Sequence, residues 1–172
     1  MRNRTWIMSL AVVVMGVTGM LIVARAADQK PNLSGTWKLN TTKSDLAQIP
    51  MPDSRTDVIE QTGDKFKLSV TTNVMGNSSQ WTMTFTADGQ EVTVPPDSPA
   101  AHMGPVTLQK IKAAWEGSNL ILTTHTEFQG NGGTWRAVYT LSPDGKVLTS
   151  TAHLIADGGG FEMDIKAVYD KQ

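Results

Sequence analysis

From Gly35 to the C terminus the chain is written in short segments that alternate apolar and polar residues, broken by turn residues and with no sustained helical period. A period of two sends successive side chains to opposite faces, so the pattern specifies half-buried β-strands. Phe66, Leu68, Val70 and Thr72 share one face, with Lys65, Lys67, Ser69 and Thr71 on the other. Trp81, Met83 and Phe85 alternate with Gln80, Thr82, Thr84 and Thr86, and Phe161, Met163, Ile165, Ala167 and Tyr169 alternate with Glu162, Asp164 and Lys166. Ten strands are predicted, over residues 35–40, 56–61, 65–72, 79–86, 90–94, 106–116, 119–128, 133–141, 146–156 and 160–169. The fold class is all-β, an antiparallel up-and-down meander of about ten strands closing into a barrel.

The connections give the barrel two unlike ends. Gly63-Asp64, Asp88-Gly89, Glu116-Gly117-Ser118-Asn119 and Pro143-Asp144-Gly145 read as tight turns after even-numbered strands. The connections 41–55, 73–78, 95–105, 129–132 and 157–159 are longer and follow odd-numbered strands. In a meander these two sets lie at opposite ends, so a closed base and a mouth ringed by long loops are expected.

Arg2 and Arg4 precede an apolar run from Trp6 to Val23, followed by Ala24-Arg25-Ala26. That order is the pattern of a secretory signal, with cleavage expected after Ala26; an uncleaved anchor is the alternative. The domains are then a signal peptide over 1–26 and one β-barrel over 27–172. The mature chain keeps 12 basic and 16 acidic residues, a net charge of about −4, which advertises no nucleic-acid partner. Cysteine is absent, which excludes a disulfide framework, a thiol nucleophile and a lipid-modified cysteine. An outer-membrane barrel is disfavoured because Lys65, Lys67, Glu162, Asp164 and Lys166 fall on the outward faces, where such a barrel meets lipid. The expected location is periplasmic or secreted, as a monomer with no membrane span in the mature chain.

Leu33-Ser34-Gly35-Thr36-Trp37-Lys38-Leu39-Asn40 resembles the Gly-x-Trp opening of lipocalins and related calycin barrels. With Lys43-Ser44-Asp45, Trp115-Glu116-Gly117, Leu141-Ser142-Pro143-Asp144-Gly145-Lys146 and Val168-Tyr169-Asp170-Lys171, the chain is similar over nearly all its mature length to exported bacterial lipocalin-like proteins. The resemblance implies a calycin-type barrel with a cup, and no reaction. It also implies a basic residue packed on Trp37, for which Lys166 or Arg136 is expected to serve.

Position along the strands divides the large side chains. Trp37, Trp115, Tyr139 and Tyr169 fall toward the base and read as a structural plug. Trp81, Trp135, Phe161, Met163, Phe128 and Met75 fall near the mouth, with Met103, and are the candidate ligand-binding residues, the first four expected to point inward. Apolar bodies of this kind suit a small hydrophobic or aromatic molecule. His102, His125 and His153 also map toward the mouth, but their spacing of 23 and 28 residues matches no metal motif, and strand parity turns the last two outward. No catalytic residue, metal ligand or cofactor is assigned, and no nucleophile elbow, phosphate loop or zinc-protease motif is present. The expected function is extracytoplasmic binding of a small hydrophobic ligand. The alternatives are a haem-binding, metal-binding or enzymatic barrel using mouth histidines, and a filled structural module of the envelope.

Overall fold

A computed structural model describes residues 30–172; the expected signal peptide lies outside the described residues. The chain forms β1 (Gly35–Leu39), β2 (Ser54–Thr62), β3 (Lys65–Val74), β4 (Asn77–Thr86), β5 (Glu91–Thr93), β6 (His102–Met103), β7 (Val106–Glu116), β8 (Asn119–Phe128), β9 (Asn131–Leu141), β10 (Val147–Ala156) and β11 (Glu162–Lys171). All pairings are antiparallel, in the order β4-β3-β2-β1-β11-β10-β9-β8-β7-β5, with β6 also on β7. The sheet is a curled meander of the expected all-β class. His102–Met103 is a short strand beyond the ten expected, and β5 is only three residues, all exposed.

Pairing runs from β4 to β5 without a ladder joining the two, so the barrel is incompletely closed along one seam. The Asp88-Gly89 turn does not make a hairpin, because β5 pairs with β7 instead of β4. β4 nonetheless lies against β7 and the 3-10 turn at Pro99–Ala101, and the Gly89 amide donates to the Ala113 carbonyl at 2.8 Å. At the base, Phe66 of β3 stacks on Phe85 of β4 with centroids 5.0 Å apart and meets Trp115 of β7 at 6.1 Å. These rings hold the seam together by packing where backbone hydrogen bonds do not.

Two of the connections expected to be long are tight turns. Met75-Gly76 and Gln129-Gly130 each form a two-residue link with both residues at positive φ, 50° and 78° in the first and 52° and 80° in the second. This is the backbone of a type I′ hairpin turn, whose twist matches that of paired strands. The mouth is therefore ringed by the segments 40–53, 94–105 and 157–161.

The Gly-x-Trp segment is built into the base. Trp37 is fully buried and its indole N–H donates to the Leu33 carbonyl at 2.9 Å, while the Leu33 amide donates to Gln61 Oε1 at 2.8 Å. The basic residue on this ring is Lys171, its Nζ 5.2 Å from the ring centroid. It replaces the expected Lys166 and Arg136: the Lys166 backbone bridges to Asp45, and the Arg136 head pairs with Glu116 on the exposed surface. Lys171 is opposite Trp37 in the β1–β11 register, which explains its position. Gly35 has φ 147°, and a Cβ there would lie 2.8 Å from Lys171 Cε, so the lysine stem occupies the space that a side chain would need.

Candidate functional site

The inward residues change size with height. At the base they are large: Trp37, Phe66, Leu120 and Leu148 are buried members of one core cluster. One layer higher, on the adjoining strands β8 to β11, they are Thr124, Thr126, Ala137, Ser150, Ala152 and Ala167. The small residues are neighbours, since Ala137 is opposite Ala152 and Ser150 is opposite Ala167. Close-packed interiors need side-chain volume to fill them, and this layer lacks it. The result is a cavity of about 400 Å³ open toward the mouth.

Its walls are mainly apolar. Trp81 and Met83 of β4 and Trp135 of β9 line it from strands six steps apart around the sheet. Leu46, Ile49 and Pro50 from the β1–β2 connection and Met103 and Pro105 from the β6 region form the rim.

Of the six sequence candidates, Trp81 and Trp135 line this cavity together. Met163 is buried, at 9% exposure, but lies outside the lining. Phe128, Phe161 and Met75 also lie outside it, at 46%, 40% and 86% exposure. Phe161 precedes β11, so strand parity does not govern it.

The floor is polar. Arg55 of β2 reaches into the cavity and is held by Asp57, with Nε donating to Oδ1 at 2.8 Å and Nη2 to Oδ2 at 2.9 Å. Asp57 sits behind the guanidinium with 6% side-chain exposure, whereas the Arg55 side chain keeps 30% through the cavity. Arg55 Cζ lies 5.8 Å from the centroid of Tyr169, and Tyr169, Tyr139 and Ser150 complete the floor. Burial works against the Arg55 charge, but the bidentate Asp57 outweighs it and holds its pKa above the ordinary value. Burial pushes the Tyr169 hydroxyl up, against the pull of Arg55 and with the help of Asp57. Burial raises Tyr139 likewise, partly opposed by Arg55.

Tyr139 and Tyr169, expected as members of the plug, pack with the core and also form the floor of the cavity. Arg55 was missed because the strand was expected to begin at residue 56, which left it in a loop. The available signal was the run Arg55-x-Asp57-x-Ile59, a charged pair in phase with an apolar residue.

The histidines stand apart from the cavity. His125 faces outward, its Nδ1 3.2 Å from Thr134 Oγ1 and its Nε2 3.3 Å from Asp157. His153 faces outward too, its Nδ1 2.7 Å from Asp164, and His102 is exposed. The outer face also carries exposed Lys65, Lys67, Lys112, Arg136, Glu162, Asp164 and Lys166.

No protein-family model and no curated protein matches the chain. Among solved structures it is similar to secretory abundant heat soluble protein 4 from Ramazzottius varieornatus, at 19% identity over 81% of this chain and 94% of that one, with a TM-score of 0.49. A likeness at that level bears on neither ligand nor activity.

Proposed function

We infer that the protein is an exported, lipocalin-like binding barrel whose cup takes one small hydrophobic or aromatic molecule. The observation that carries this reading is the cavity of about 400 Å³, lined by Trp81, Met83 and Trp135 above a small-residue layer. Its size falls within the range of sites that enclose a small ligand, and apolar walls with a few convergent polar groups are what such sites share. His125 and His153, on which the haem or metal alternative relied, are directed away from the cavity.

The test is titration of the uncharged fluorophore N-phenyl-1-naphthylamine into the wild-type protein and into Trp81→Ala/Trp135→Ala, with far-UV dichroism confirming that the variant folds. Saturable one-to-one binding to the wild type, weakened at least tenfold in the folded double variant, is the expected result. Absence of binding, or binding indifferent to both substitutions, removes the reading.

A further inference from the structure

We propose that the cup selects amphipathic molecules whose polar end is an uncharged oxygen acceptor, such as a ketone or amide carbonyl, and discriminates against carboxylates. This rests on the binding-cup reading and names the chemistry of the end that reaches the floor.

The floor presents donors and no free cation. Of the five N–H groups of Arg55, two are committed to Asp57, and the remainder lie on the one side chain of the pair that lines the cavity. The hydroxyl of Tyr139, kept protonated by burial, borders the same space as a further donor, while the Tyr169 hydroxyl is engaged by Asp57 and that of Ser150 by Tyr139. A carbonyl oxygen placed there accepts hydrogen bonds that are charge-assisted on the Arg55 side. It adds no net charge, so it leaves the pairing of Arg55 with Asp57 undisturbed.

A carboxylate meets a different balance. Its attraction to the guanidinium is largely offset by Asp57, which is fixed one ion-pair length behind Arg55 and is too buried to be screened by water. The cost of stripping water from the carboxylate is undiminished, and the occupied site would hold one uncompensated negative charge. A lone arginine at the bottom of an apolar cup would favour an acid. This arginine is already neutralised.

The experiment displaces N-phenyl-1-naphthylamine with 2-decanone or with decanoate at pH 8, where the acid is fully ionised, and repeats both with Asp57→Asn. In the wild type, 2-decanone is expected to compete at least tenfold better than decanoate. In Asp57→Asn, which releases the Arg55 charge, decanoate is expected to gain at least tenfold while 2-decanone changes little. Decanoate competing as well as or better than 2-decanone in the wild type overturns the head-group assignment and leaves the cup standing. If the fluorophore and both competitors fail to bind, the cup reading falls and this assignment with it. The wild-type comparison decides the question even if Asp57→Asn does not fold.

Discussion

Trp37 and Tyr169 are both aromatic, both buried and close in register, yet they do different work. Trp37 is closed in by Leu33, Lys171 and its own hydrogen bond, so Trp37→Ala should cost roughly 3–5 kcal/mol, the usual loss for deleting a buried large aromatic. A melting curve unchanged by that substitution would show that the ring is not core. Tyr139 and Tyr169 are the only two tyrosines in the chain, which makes their ionisation directly visible in ultraviolet absorbance. Both hydroxyls are held above the ordinary value by burial, so unfolded chains release these protons near pH 10 while the folded protein keeps them. The folded state then binds more protons, and the contribution of these groups to stability, fully present below about pH 10, falls as the pH rises beyond it. No tyrosinate signal is expected until alkaline unfolding, when both residues should appear together; ionisation at pH 10 in the folded protein would contradict the buried floor. Asp57→Ala should cost about 2–4 kcal/mol in urea unfolding, because it leaves the Arg55 cation partly buried without its partner. Arg55→Met/Asp57→Ala should be less destabilised than the single variant. A loss under about 0.5 kcal/mol for Asp57→Ala, the range of ordinary surface changes, would mean that the ion pair is idle.

At the level of elements, the strands with strict alternation were legible, and the turns were legible only where their first residue obeyed turn chemistry. β3 and β4 each keep one apolar face, and a one-residue slip would expose all of it, so their register follows from sequence. Met75-Gly76 and Gln129-Gly130 hid as loops because methionine and glutamine do not announce positive φ. The structure shows the same device in both, with the next residue, Asn77 or Asn131, donating its side-chain amide to the carbonyl of the turn's first residue at 3.4 Å. A non-glycine residue in the left-handed region carries a steric penalty of order 1 kcal/mol, and Met75 is too exposed to recover it by packing. Met75→Asn and Gln129→Asn should each therefore raise the unfolding free energy by about 0.5–1 kcal/mol, with higher melting midpoints. A drop in stability for both would show that these turns are not of the I′ type. The seam between β4 and β5 was not legible, since Asp88-Gly89 is a sound hairpin signal that is overruled when β5 joins β7.

For the whole molecule, the fold class and the two inward tryptophans followed from alternation alone, but the cavity did not. Sequence reasoning looked for large apolar residues at the mouth, whereas the space depends on where side chains are small: Ala137, Ser150, Ala152 and Ala167 meet across three adjacent strands only once the register is known. The polar floor was hidden for a related reason, because Arg55 belongs to a strand whose start lies before its clear alternation. Whether this middle layer is hollow and receives a ligand is decided most directly by filling it. Ala152→Phe puts an aromatic ring into the space, and the fluorophore titration is repeated together with thermal unfolding. The prediction is that binding weakens at least tenfold while the melting midpoint is held or raised, as expected when a side chain enters an existing void. Binding equal to wild type, or a loss of roughly 1–3 kcal/mol of the kind that follows overpacking of a filled core, would contradict the hollow cup.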